Sequence, residues 1–424
     1  MSARTGVIAE VVFNEVGPEE PDVFWAQSRP ADLHPLAGRP ALNFGNATAF
    51  EAGRAVMKAV GESVERYCAA LYDDEELVFA SYEDCGLPAA DPRSFALFSD
   101  EQYAAPGFPF AAFTTRTPVN WVAGHSLSDD APRWVPATFV YIPYDRPAAE
   151  PPLKDLISTG LACGPTRAHA TLKAVCEAVE RDAYSIVWHN RLRRPHLDLD
   201  RARDPRIRQV VAALRRSPQT IHAVLLTLDI PLTAVLVVMT RADAPPYTVV
   251  ASGCDLSPRN ALLLALEEAC LASIGMGRAA AAGSYTPDDD YASLTSMHMH
   301  GMAHALDPRL RASVEFLIDP DGLVDVDDLP DPSTGDPVDD LGRAVDALRG
   351  RATDAIAVDV TTPDIDAAGF KVVRVVVPNL QPMDIDHGSR HLGGHRLYEV
   401  PYALGLSGRP TQAADLNPAP HPFP

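Results

Sequence analysis

At 424 residues the chain is too long for one simple hydrophobic core and points to one large or two fused domains. With 46% hydrophobic and 22% charged residues, its composition is that of a globular protein and excludes a disordered or fibrous one. The formal charge of −21 argues against a nucleic-acid partner, because phosphates would be repelled over most of the surface. The carboxylates either serve metal ions or keep the protein in solution, and solvation suffices for a run such as Asp288, Asp289 and Asp290.

The opening "MSARTGVIAEVVFNEV" lacks the basic start and apolar block of a signal peptide. No apolar run approaches the roughly 20 residues needed to cross a bilayer. A cytoplasmic protein without membrane contact is expected. Residues 1–42 read as Pro-rich and irregular after the strand-like "GVIAEVVF". From Ala49 to Leu71, Ala52, Ala55, Val56, Ala59, Val60 and Val64 recur at helical spacing. Residues 72–155 alternate short β-like runs, "LVFASY" and "WVPATFVYIPY", with Pro and Gly.

A second helix is predicted over Arg167–His189. "AVLLTLDI" and "LTAVLVVMTR" follow as strands around a turn at Ile230-Pro231, and a third helix is predicted over Ala261–Gly277. Residues 285–345, rich in Asp and Pro, suggest a mobile excursion with a few short helices. "GFKVVRVVVPNL" reads as a buried strand. The end alternates Pro418, Pro420, Pro422 and Pro424, which favours an extended polyproline conformation. Cys68, Cys85, Cys163, Cys176, Cys254 and Cys270 form no C-x-x-C pair, which argues against a zinc knuckle or thioredoxin motif.

The three helices share a plan. Each follows a small-residue or turn segment ("NFGNATAF", "STGLACGPT", "ASGCDLSP") and carries glutamate late in an apolar stretch. The first two hold Glu-x-x-Glu-Arg, as Glu62, Glu65 and Arg66, then Glu177, Glu180 and Arg181; the third holds Glu267 and Glu268. Residues i and i+3 share a helix face, so each pair sets two like charges together. One such motif alone reads as a solvated face with a local ion pair. Two in matching context suggest carboxylates that converge, and buried carboxylates need protons or counter-ions. Mg2+, which takes carboxylates together with substrate phosphates, is the natural complement. No Gly-x-x-x-x-Gly-Lys-Ser/Thr phosphate loop and no Gly-x-Ser-x-Gly elbow occurs. "HMHGMAH" (His298, His300, His304) lacks the pattern of a metal cluster and reads as a mobile loop.

"STGLACGPTRAHATLKAVCEAVERDA" resembles the signature of YcaO proteins, and "NFGNATAFEAGRAVMKAVGESVERY" and "GCDLSPRNALLLALEEACL" resemble the family's first and third helices. "PRSFALFSDEQY", "NWVAGHSL", "VPNLQPMD", "LGGHRLYEVP" and the Pro-alternating end resemble its azoline-forming branch. The resemblance implies an α+β YcaO fold with glutamate-bearing helices packed on mixed or antiparallel sheets around a single ATP site. An extension would cover residues 1–40 and the YcaO domain 41–424. It implies an ATP- and Mg2+-dependent cyclodehydratase that converts Cys, Ser or Thr of a ribosomally made precursor peptide to thiazoline or oxazoline.

By resemblance Glu62, Glu65, Glu177 and Glu180 hold Mg2+ and so the phosphates. Ser158 and Gly160 lie in the nucleotide loop, Glu268 lines the same cavity, and Pro424 reaches the reacting centre. A separate ubiquitin-activating-like partner that recognises the leader peptide is implied, as is a homodimer. The chain departs from the family pattern at Asn46 (for Lys), Lys58 (for Ser), Pro165 (for Asn) and His169 (for Glu). Leu271 and Ser273 stand where Gln and Arg are frequent. The alternatives are a thioamide- or amidine-forming relative and a degenerate scaffold subunit.

Overall fold

The computed structural model describes residues 6–31, 44–283, 288–289 and 291–424. β1 (Ile8–Asn14) pairs antiparallel with β2 (Phe24–Pro30), which pairs with β3 (Gly45–Ala49), setting Trp25 opposite Thr48. The irregular reading of residues 1–42 therefore misses a strand. "FWAQSRP" alternates in burial only over Ala26 and Ser28, too briefly to stand out in sequence. α1 (Ala52–Ala69) packs on this sheet through Ala55 and Ala59. A Cβ on Gly45 would lie 2.0 Å from the Ala59 carbonyl oxygen, so only glycine lets strand and helix approach this closely.

The second sheet runs β4 (Val78–Ala80), β5 (Val119–Ser126), β13 (Ile356–Asp359), β14 (Lys371–Val376), β7 (Leu161–Gly164), with β6 (Pro132–Pro136) paired to β5. "ATFVYIPY", the rest of the run expected as a strand, instead forms a 3-10 turn at Ala137–Phe139 and then loop. The third sheet runs β11 (Thr248–Asp255), β10 (Thr233–Thr240), β9 (Thr220–Leu225), β8 (His196–Leu197), β12 (Leu323–Val324).

α2 (Arg167–Asn190) lies between the second and third sheets and buries residues on nearly all sides, including Val175, Val179, Ile186 and Trp188. Thr166 caps it, its hydroxyl accepting the His169 N–H at 3.2 Å. α3 (Pro205–Leu214) and α4 (Pro258–Ala282) cover the other face of the third sheet. By length and composition α4 could cross a membrane, which the sequence reading did not allow. Most of that stretch is buried inside the protein against β10 and β11. The repetition seen in sequence is structural: β3–α1, β7–α2 and β11–α4 are each a strand, a short turn and a helix.

Residues 291–345 are not an excursion. α5 (Met297–Leu306) docks on α4, and α6 (Pro337–Leu348) packs on α2 through Ala344, Val345 and Leu348. Helical spacing of those apolar residues outweighs the Asp-rich composition. Residues 284–287 and 290 fall outside the described residues. "HMHGMAH" is this helix, with His300 and His304 fully buried, and not a mobile loop. α7 (His395–Ala403) packs on α2, and the chain ends as an extended segment buried from Pro420 to Phe423.

Candidate functional site

The three strand–turn–helix units meet around a cavity of about 870 Å³. Its walls include Glu62 and Glu65 from α1, Glu177 and Glu180 from α2, Glu268 from α4, Ser158, and Phe423 with Pro424. Gly160 stands behind the wall and donates its N–H to Glu177 Oε2 at 3.0 Å. Its φ is +81°, and a Cβ there would meet the Val375 carbonyl oxygen at 2.3 Å, so the loop requires glycine. The structure thus gathers the residues singled out in sequence into one place.

Each carboxylate is held from behind. Glu62 Oε2 accepts the Asn46 N–H at 2.7 Å, and Glu62 Oε1 pairs with Arg66 at 2.5 Å. Glu65 Oε1 accepts the Cys163 N–H of β7 at 2.7 Å. Arg181 reaches Glu177 at 3.4 Å and Glu180 at 3.6 Å, and the Ser252 hydroxyl donates to Glu180. Lys58 pairs with Glu268 at 2.7 Å and Glu267 at 3.5 Å, while Arg54 holds Glu267 at 3.1 Å. Burial opposes the charge on Lys58, and the two glutamates outweigh it, holding its ammonium above the ordinary range.

Cations are too few for the remainder. Glu65 has no ion-pair partner within reach among the described residues, and Glu177 and Glu180 share one arginine. Burial, reinforced by Glu62 and Glu177, pushes the Glu65 carboxyl up to about 8 despite the Cys163 N–H. Burial likewise raises Glu180, with Arg181 and Ser252 opposing. A hard cation would relieve both, and an all-carboxylate donor set suits Mg2+ bound through one or two carboxylates plus phosphates. Among the described residues no three acidic, His or Cys side chains are already gathered into a metal centre. The donors fit such an ion only together with oxygens brought by a ligand.

A second cavity of about 740 Å³ shares Lys58, Glu62, Glu65 and Lys173 as a common wall and extends past Pro165 and His169 to Arg206. Lys173 pairs there with Asp255 at 2.8 Å. The departures at Lys58, Pro165 and His169 therefore face this space, and Asn46 and Leu271 line the first cavity. Ser273 does not belong to either. It is buried and donates to Gln219 at 3.2 Å.

The closing segment is locked into the wall. His304 contacts the Pro420 carbonyl at 2.7 Å, His421 contacts the Asp384 carbonyl at 2.8 Å, and His300 stacks on His421 with centroids 4.1 Å apart. Burial pushes His304 and His421 down to about 4, so both are neutral near pH 7. Arg181 lies 4.2 Å over the Phe423 ring, linking this segment to the glutamates. The sequence reading missed Arg54, the Lys173–Asp255 pair and the buried cations Lys154 and Arg374. The one available signal was the lone Arg inside "KVVRVV".

The family model described as YcaO cyclodehydratase, ATP- and Mg2+-binding, matches residues 46–381. A solved heterocyclase in complex with substrate and cofactor is similar over 99% of this chain and 55% of its own, at 26% identity and TM-score 0.80. The heterocyclase TruD is similar over 88% and 51%, at 26% identity and TM-score 0.70. This chain spans about half the length of those two proteins. A YcaO protein of Methanopyrus kandleri, solved with AMPPCP and Mg2+, shares the fold over 88% of this chain and 86% of its own, at 22% identity and TM-score 0.62.

Proposed function

Because the chain belongs to the YcaO family, we propose that it is an ATP- and Mg2+-dependent cyclodehydratase. It would convert Cys, or Ser or Thr, of a precursor peptide to an azoline ring. The observation that carries this reading is the cavity into which three helices bring carboxylates that the protein's own cations do not neutralise. In this reading Glu62, Glu65, Glu177 and Glu180 hold Mg2+ and the phosphates, and Ser158 and Gly160 contribute the nucleotide loop. The metal supplies charge neutralisation for the transferring phosphoryl group.

The chain's own groups position and shield. Arg181 is held between Glu177, Glu180 and the Phe423 ring, and so ties the nucleotide end to the wall where Pro424 faces the peptide. Lys58 fixes Glu267 and Glu268, a cation supplied from within. The peptide's thiol or hydroxyl adds to the preceding carbonyl. The oxygen so formed takes the γ-phosphoryl of ATP, and phosphate leaves with that oxygen while ADP is released. A precursor peptide and a separate leader-recognising protein are proposed as its partners.

Incubation with the precursor peptide, the partner and MgATP tests the reading. The peptide is expected to lose the mass of one water per ring as phosphate appears. A gain corresponding to sulfur in place of oxygen would move the assignment to thioamide formation. An unchanged peptide with partner binding intact would favour a scaffold, to which Asn46, Pro165 and His169 point.

A further inference from the structure

Beside the acidic cavity, on the far side of Arg181, lies a small cavity of about 80 Å³ whose charged wall is entirely basic. Lys154, Arg181 and Arg374 line it, Thr159 and Gln381 are the other polar side chains, and the rest is apolar, as at Phe139. Arg374 is the lone charge of β14 beyond its first residue and is only 4% exposed. It donates from Nε to the Phe139 carbonyl at 2.9 Å and from Nη2 to the Ile157 carbonyl at 2.6 Å. Its Nη1 is buried without a hydrogen-bond partner, whereas Arg181 Nε faces Glu180 at 3.6 Å and Arg181 joins this wall through its guanidinium charge. Lys154, 8% exposed, gives one hydrogen to the Asp155 carbonyl and stands 5.2 Å over the Phe139 ring.

Buried donors of this kind are costly when unpaired. Glu177 acts on Arg374 and Asp155 on Lys154 from outside the cavity wall, and neither lines it. Burial and then Arg374 push Lys154 down to about 7, and burial pushes Arg374 down to about 10. The cavity exceeds the space of one or two waters and is far too small for a nucleoside.

We propose that Lys154, Arg181 and Arg374 form a binding site for one tetrahedral oxyanion, inorganic phosphate, next to the loop at 158–160. Arginine forks and an ammonium are the donors that suit phosphate oxygens. The position also suits a transit point for phosphate released in the neighbouring cavity. That role alone rests on the proposed cyclodehydration; the binding itself does not.

The test uses the full chain without peptide or nucleotide. Titration calorimetry with inorganic phosphate, against chloride at matched ionic strength, is expected to show saturable binding of one phosphate per chain. Lys154→Met should weaken it by at least about tenfold, as expected for one charge-assisted hydrogen bond, while an ATP analogue binds within about twofold of wild type. Should that variant misfold, acetylation of Lys154 in the wild type, mapped by mass spectrometry, decides instead, and phosphate should slow it. No phosphate binding by the wild type, undiminished binding in a folded Lys154→Met, or undiminished labelling would overturn the proposal. Phosphate binding without ring formation would leave this site standing and count only against the functional reading.

Discussion

Glu180 and Asp182 stand two residues apart on α2, both buried and both raised by that burial, yet their partners differ. Asp182 accepts the Gln381 N–H at 2.8 Å and both Arg396 donors at 2.9 and 2.7 Å, and Arg396 also grips Asp229 at 2.8 Å. Burial raises its carboxyl, with the paired Arg396 contacts and the Gln381 N–H opposing. Glu180 has the Ser252 hydroxyl and a share of Arg181 at 3.6 Å, beside Glu177 and Glu268. A buried carboxylate gripped by both prongs of an arginine at hydrogen-bond distance holds the fold together. One that shares too few cations with its neighbours is set for something that arrives from outside.

Breaking each side should give opposite results. Arg396→Leu strands Asp182 and is expected to cost about 3–5 kcal/mol in denaturant unfolding. Glu180→Gln should leave stability unchanged or raise it; equal losses in both would erase the distinction. Glu177→Gln is expected to lower ATP consumption by about 10²–10³-fold, the scale of losing a transition-state contact. Precursor binding should persist, and ATP use at the wild-type rate would remove the metal assignment.

Acidity sharpens the contrast further. The Glu65 carboxyl rises from 4.5 to about 8 on folding, so between those values the native state holds a proton that the unfolded chain has lost. Without divalent cation, stability should therefore fall as pH rises from about 5 to 8. Glu65→Gln should flatten that slope, and so should Mg2+ together with an ATP analogue; an unchanged slope in Glu65→Gln would be contrary. The smallest effect belongs to Arg66→Ala. Its pair with Glu62 is 44% exposed on the arginine side, and the loss should stay below about 1 kcal/mol.

The helices and their glutamates were legible because spacing along a helix is written in the sequence. Ala55 and Ala59 mark a buried face, and Glu62 and Glu65 fall on one side of it. The repeated strand–turn–helix plan was visible for the same reason. What escaped depends on distant partners. β2 is a strand because β1 and β3 flank it. α6 is fixed by α2, and His300 and His304 are buried because the closing segment threads beneath α5. Ser273, which stands where an arginine is frequent, turns to Gln219. Lys154 and Arg374 lie more than 200 positions apart in a chain that gives no hint that they meet.

The most direct test of the central claim is calorimetric titration of a non-hydrolysable ATP analogue, with and without Mg2+. Wild type should be compared with the Glu65→Gln/Glu177→Gln double variant, its fold checked by circular dichroism. The account expects Mg2+-dependent binding to the wild type that vanishes in the folded double variant. Binding of equal affinity to both, or binding indifferent to Mg2+, would contradict it.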